Sequence, residues 1–198
     1  MINITGYIWY DDVVDKLAWK HDLTTDEVEE IFQNKPRIHD QNRNFRMIEH
    51  SSLSIKNLLA DFPVVVQFPI AWGDMDALGH INNTVYFRYF ESARVDYLTK
   101  INFLDPEANG GISAILASTQ CDFRKALMYP DTVSIGARVI EISGDRFVME
   151  YRLVSHHWQK IAAEGKGVVV SFNYRGRRKA ELPEAVRKNI QTLENHPA

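Results

Sequence analysis

Residues Trp72–Tyr97 read WGDMDALGHINNTVYFRYFESARVDY, and this stretch decides what the rest of the chain can be. Its first half is turn-forming and ionisable. Asp74 and Asp76 follow an apolar extended run, Val64 to Trp72, and Gly79, His80, Asn82 and Asn83 come before any apolar periodicity begins. Its second half is periodic: Tyr86, Phe90, Ala93 and Tyr97 recur at helical spacing, Phe87, Tyr89 and Leu98 widen the stripe, and no Gly or Pro intervenes before Lys100. Asn82 or Asn83 is a natural N-cap, because a short amide side chain accepts from the unpaired amides of a first turn. The stretch therefore predicts a helix over Asn82–Lys100, buried on one broad face, whose positive end lies beside an acidic loop.

Working outward, the flanks are of two kinds. Residues 1–60 read as a helical appendage. Val13, Val14 and Leu17 share one helical face, Thr24 and Glu27 have capping-box spacing ahead of Val28, Ile31 and Phe32, and Ser52–Ala60 suits a short connecting helix. From Pro63 the texture is that of strands. Ile112–Arg124 is a long β-compatible run, Asp131–Ile142 alternates through Val133, Ile135, Ala137 and Val139, and Ser143, Gly144 and Asp145 make a hairpin-type turn. Arg146–Ser155 and Ile161–Tyr174 supply two further strands, and Leu182–Leu193, with Pro183 in a first-turn position, closes the chain as a helix. One long helix must serve one sheet, so the expected architecture is α+β: an antiparallel sheet of five or six strands wrapped around a central helix, over residues 61–198.

Composition limits the function classes. The chain has 198 residues, enough for a core, and its 45% hydrophobic and 25% charged residues are those of an ordinary globular protein. A net charge of -3 argues against nucleic acid as an electrostatic partner. One cysteine, Cys121, excludes an intrachain disulfide and reads as a small buried apolar residue. The N-terminus lacks a basic region followed by an apolar core, and no 18-residue apolar run exists, so a membrane partner is not expected and the cytoplasm is the default location. Calcium is excluded because Leu78 and Val85 fall where a calcium loop needs ligands. Two carboxylates and one histidine on one loop do not make a metal site either, so neither metal nor cofactor is expected.

The order D-x-D-x-x-G-H-x-N-N-x-x-Y, present as Asp74, Asp76, Gly79, His80, Asn82, Asn83 and Tyr86, resembles the 4-hydroxybenzoyl-CoA thioesterase family of the hotdog fold. The similarity runs from about Val64 to Arg187 and takes in DFRKALMYPDTVSI and RGRRKAELPEAVRK. It implies hydrolysis of an acyl-CoA or acyl carrier protein thioester by a homodimer or tetramer with sites at subunit interfaces. In that family Asp76 matches the catalytic aspartate, as nucleophile or general base, and the backbone amide of Asn83 falls where the oxyanion donor lies. The match has departures: Ala77 stands where that branch has proline, and the His-Asn-Asn run is absent from it. Plant-type acyl carrier protein thioesterases are similar at Asp76 and His80 but carry an asparagine where this chain has Leu78.

The residues themselves are compatible with that chemistry. Thioester hydrolysis needs a carboxylate, or a water it activates, near the carbonyl carbon, and amide donors aimed at the developing oxyanion. An acidic loop at a helix N-terminus supplies both. Asp74 is expected to cap the loop by accepting backbone amides. His80 is a catalytic candidate beside Asp76, the alternative being that it packs or hydrogen-bonds at an interface; Asn82 and Tyr86 are expected to line the substrate site, and Arg175 and Arg177 to meet the phosphates of coenzyme A. Glu91 and Arg94 have the spacing of a surface or interface pair. His156 and His157, read as strand neighbours, would face opposite ways. The alternative function is a non-catalytic acyl-CoA-binding or regulatory module. Val14–Pro36 is faintly similar to the opening helices of BrnT-type ribonuclease toxins, which makes a toxin-derived nuclease the remote third reading.

Overall fold

The computed structural model describes residues 55–195. The expected appendage, up to residue 54, and its likeness to toxin helices lie outside the described residues. The strands are β1 (Val64–Pro69), β2 (Ile112–Phe123), β3 (Thr132–Ile142), β4 (Arg146–Ser155), β5 (Lys160–Asn173) and β6 (Arg178–Lys179), and the two long helices are α1 (Asn83–Lys100) and α2 (Glu184–Asn195). All pairings are antiparallel, in the order β1-β3-β4-β5-β2, with β6 on β5. The sheet curls around α1: this is the hotdog fold, α+β as the periodicity predicts.

α1 starts where the sequence provides a cap. The Asn82 side chain accepts from the Thr84 amide at 2.9 Å, and the helix ends at Ile101, after which Asn102 turns left-handed at φ 57. Tyr86, Phe90, Ala93 and Tyr97 are buried, as are Val85, Tyr89 and Leu98. They meet a sheet face built by strict alternation: Val133, Ile135, Ala137 and Val139 on β3, and Phe147, Met149, Tyr151 and Leu153 on β4, with Ala137 opposite Tyr151. Each such large side chain removed from water contributes about 1.5–3 kcal/mol. Phe90 stacks on Tyr151 with centroids 5.0 Å apart, and this requires glycine on β5, because a Cβ at Gly165 would stand 2.4 Å from the Phe90 ring.

On the other face of the sheet the chain covers itself. Residues 55–58 form a helical turn, and Ile55, Leu59 and Phe62 pack on Val154. The Phe62 ring lies over Gly136, with the guanidinium carbons of Arg138 and Arg152 at 5.0 and 5.1 Å from its centroid. Both arginines are ion-paired across the strands, to Glu150 and Glu164.

Three local expectations change. β1 stops at Pro69 rather than running to Trp72; Ile70 donates to the Asp131 carbonyl, and Trp72–Asp74 is a 3₁₀ turn. His156 and His157 lie in the β4–β5 turn, not on a strand, because the Asp131 carboxylate accepts from Ser155 Oγ and from the His157 amide and curls the chain there. The Glu91–Arg94 pair exists at 3.9 Å, but Arg94 is buried and donates to the Tyr151 hydroxyl, so it is no simple surface pair. The outer edge of β2 pairs with no strand among the described residues, and Leu116–Gln120 is exposed along it.

Candidate active site at the mouth of α1

The loop ahead of α1 is closed by its own backbone. The Asp76 amide donates to the His80 carbonyl at 2.7 Å, the Gly79 amide to the Asp76 carbonyl at 3.0 Å, and Met75 bridges Ile81. Gly79 sits at φ 76, a conformation glycine adopts without penalty. The Asn82 amide closes the loop further on the Asp74 carbonyl at 2.9 Å, and a second bond, from the Ile81 amide to the Leu127 carbonyl at 2.8 Å, ties it outward. The second sets the β2–β3 connection alongside the mouth of the helix.

The brace expected of Asp74 falls to the other carboxylate. It is Asp76, not Asp74, whose side chain braces the loop: Oδ1 accepts from the Leu78 amide at 2.8 Å and from the His80 amide at 3.3 Å. Asp74 instead bonds Arg88 on α1 at 2.5 Å. An aspartate two residues ahead of a free amide forms an Asx turn, as Asp76 does with Leu78, while Asp74 faces Arg88 in the second turn of α1. Asp76 is exposed, and its Oδ2 has no partner among the described residues.

The amide of Asn83, first residue of α1, likewise has no acceptor among the described residues, and the Asn82 side chain is occupied by Thr84. A free N–H at the positive end of an 18-residue helix is suited to an anion. His80 and Asn83 are exposed beside it. Tyr86 is placed at the same mouth, but its hydroxyl is occupied: it donates to the Lys125 carbonyl at 3.4 Å and accepts from the Leu127 amide at 3.3 Å. Its ring meets Phe123 edge-on at 5.0 Å, and burial pushes its phenol above the ordinary range.

Arg175 and Arg177 are not brought to this mouth within one chain. Asn173 pairs with Ile112, the Tyr174 amide donates to the Gly111 carbonyl, and Ser113 Oγ donates to the carbonyls of Phe103 and Leu104, just beyond the C-terminal end of α1. That end is about 27 Å from the mouth at 1.5 Å per residue. Arg175 is ion-paired there with Glu107, and Arg177 stands exposed in a left-handed turn. The residues that sequence reasoning passed over are Phe123, Lys125 and Leu127. Their segment, DFRKALMYP, reads as a hairpin, and nothing in its spacing ties it to a loop some forty residues earlier. Among the described residues no three His, Cys, Asp or Glu side chains gather as a metal site, and no helix is long and apolar enough to cross a membrane.

A family model described as the thioesterase-like superfamily matches residues 70–190. A thioesterase from Thermus thermophilus, solved in complex with coenzyme A and zinc, is 33% identical and superposes with a TM-score of 0.61 over 70% of this chain and 98% of that one. A 1,4-dihydroxy-2-naphthoyl-CoA (DHNA-CoA) thioesterase from Staphylococcus aureus shares the fold at 21% identity, with a TM-score of 0.58 over 67% of this chain and 93% of its own. A putative esterase of Aquifex aeolicus is 28% identical over 90 residues, 45% of this chain and 70% of the relative.

Proposed function

Because the chain belongs to the thioesterase-like superfamily, we propose that it hydrolyses acyl-CoA thioesters at the mouth of α1, with Asp76 as the reactive carboxylate and the Asn83 amide as oxyanion donor. The observation that carries this reading is the pairing of two unengaged groups on one braced loop: Asp76 Oδ2 and the Asn83 N–H. As general base, Asp76 takes a proton from water as the water oxygen bonds to the thioester carbon, and the carbonyl electron pair moves onto the oxygen facing the Asn83 amide. Collapse of that intermediate breaks the C–S bond, and the thiolate leaves with the proton held by Asp76. As nucleophile, Asp76 would instead attack the thioester carbon and expel the thiolate, leaving a mixed anhydride that water cleaves to release the acid and restore the carboxylate. Oδ1 serves either route by fixing the carboxylate through the Leu78 and His80 amides.

The free edge of β2 supports a homo-oligomer, a dimer or a pair of dimers, in which a second copy continues the sheet. The exposed mouth supports the same assembly, since a second copy is needed to wall it from water. On this reading residues 1–60 are the appendage, and the reactive part belongs to residues 61–198. The test is a panel of short, long and aromatic acyl-CoA substrates assayed for free thiol. Turnover of at least one class is expected, and binding without thiol release for every class would replace hydrolysis by a binding role.

A further inference from the structure

α1 carries a buried cation that its own chain balances poorly. Arg94 is 8% exposed, and a guanidinium taken out of water needs a well-placed carboxylate and further acceptors to offset its lost hydration. Among the described residues it has little: Nη1 donates to the Tyr151 hydroxyl at a long 3.4 Å, and the carboxylate of Glu91, one turn earlier, stands 3.9 Å from Nη2. The Glu91 side chain is itself 64% exposed, so the cation lies inside and the anion outside. Their place in the fold is set by β5. A Cβ on Gly167 would meet the Tyr151 hydroxyl at 3.0 Å and Leu116 Cδ1 at 3.3 Å, so the guanidinium bonded to that hydroxyl lies on the flank of α1 towards β2, where Leu116 is exposed. Leu116 stands near the middle of β2, whose outer edge pairs with no strand among the described residues, and Glu91 and Arg94 stand at the middle of α1. The opposite edge of the sheet is blunted: β1 has six residues, follows Pro63 and ends on Pro69, and proline has no amide to donate to a further strand.

We infer that α1 meets α1 of a second copy across a two-fold axis, with Arg94 of each protomer paired to the partner's Glu91. The inference rests on the homo-oligomer proposed above and names a second contact within it, on the helix rather than on the strand. A two-fold axis makes one surface meet itself, so that residue i contacts j and j contacts i. Glu91 and Arg94 are opposite in charge and one turn apart. Two identical helices crossing antiparallel between those positions therefore set each cation against an anion, twice. Pairing β2 with β2 about its middle places the axis near Leu116, on the same flank as Arg94, so one axis serves both strand and helix. The partner's carboxylate supplies the balance that Arg94 lacks in its own chain, and Val95, exposed one turn beyond Glu91, is covered by the same contact. The N-terminal ends of the two helices then lie at opposite ends of the pair, so each protomer keeps its own mouth.

Sedimentation equilibrium of the full chain tests this, on the wild type, Glu91→Arg, Arg94→Glu and an equimolar mixture of the two variants. The wild type should be at least dimeric. Either reversal sets like charges opposite one another at two places and should raise the dimer dissociation constant by about thirtyfold or more. The mixture should recover dimers, because the reversed position of one chain then faces the reversed position of the other while the native pair survives beside it. An ion pair confined to one chain gives the opposite pattern: the mixture recovers nothing, and only both reversals in a single chain do, which would overturn the inference. Reversal of a buried residue can unfold the chain, so Glu91→Arg, at an exposed position, also stands alone. If its dissociation constant stays within about twofold of the wild type, as for an ordinary surface change, the contact does not exist. The two readings fail separately. A monomeric wild type removes the assembly and this contact with it, whereas a dimeric wild type indifferent to Glu91→Arg keeps the assembly and removes only the contact.

Discussion

Phe62 lies against Gly136 so closely that a Cβ on the glycine would come within 2.6 Å of the ring. The absence of a side chain on β3 is what lets residues 55–62 seat on the outer face of the sheet. Gly136→Ala should therefore cost about 1–3 kcal/mol by overpacking, and Phe62→Ala about 3–5 kcal/mol by loss of a buried ring. In the double variant the methyl group no longer meets the ring, so the combined cost should fall well below the sum. Urea unfolding of the three variants measures this. Gly144→Ala is the control, since nothing lies within 4 Å of its would-be Cβ.

Glu194 on α2 joins the helix at the centre of the fold to a break in the sheet. Its Oε1 accepts the Tyr97 hydroxyl at 2.6 Å and the Val139 amide at 2.7 Å, next to the register shift in β3. Glu194→Ala leaves two buried donors unanswered and should cost about 2–6 kcal/mol, at roughly 1–3 for each. Glu194→Gln retains an oxygen in place and should recover most of it. A thermal melt that gives the two variants equal stability would remove Glu194 as the clamp.

Much of this was legible in the chain, for a physical reason. The alternation of Val133, Ile135, Ala137 and Val139 and the helical recurrence of Tyr86, Phe90, Ala93 and Tyr97 are periodic, and periodicity is imposed by burial on one face. The loop is different. Asp74 and Asp76 are the same residue type two positions apart, and which of them braces amides depends on the path of the chain and on Arg88, fourteen residues away. Phe62 over Gly136 and Lys125 over Trp158 depend on strand order and on turn geometry, which leave no local signal.

Ionisation of buried groups sets the pH limits of stability. Burial holds Tyr89 up at about 12 and pushes Tyr97 and Tyr151 above the ordinary phenol range. Above pH 10 the unfolded chain loses protons that the folded chain keeps, so ν_U falls below ν_N and stability declines as pH rises from there. His156 is shifted the other way, with burial lowering it. Below pH 6.5 the unfolded chain takes up a proton that the folded chain resists, so stability also declines as pH falls. Denaturant midpoints measured from pH 5 to 11 should pass through a plateau between these limbs, and Tyr97→Phe should flatten the alkaline one.

The edge of β2 makes a prediction about exchange. Its twelve residues pair with β5 on one side only among the described residues. If a second copy pairs with the other side, amides from Leu116 to Asp122 should exchange slowly in concentrated protein and faster on dilution through the dissociation range. Light scattering over the same range should fall from dimer towards monomer. Exchange at those amides that does not change while the mass does would place the interface elsewhere.

The two aspartates of the loop should separate by substitution. Asp76→Asn retains Oδ1 as acceptor for the Leu78 and His80 amides, so the loop should keep its shape while the anion is lost. Turnover of acyl-CoA should then fall by about a hundredfold or more, with binding preserved. Asp74→Asn weakens an exposed ion pair with Arg88, worth about 0.2–1 kcal/mol in such settings, and should change turnover severalfold at most. His80→Ala distinguishes the two mechanisms: a large loss favours an aspartate–histidine pair, and a small one an aspartate acting with the Asn83 amide alone. If Asp76→Asn kept more than about a third of the wild-type rate, far above what loss of a general base allows, the reactive carboxylate would have to be sought elsewhere and the brace formed by Oδ1 would be the whole role of Asp76.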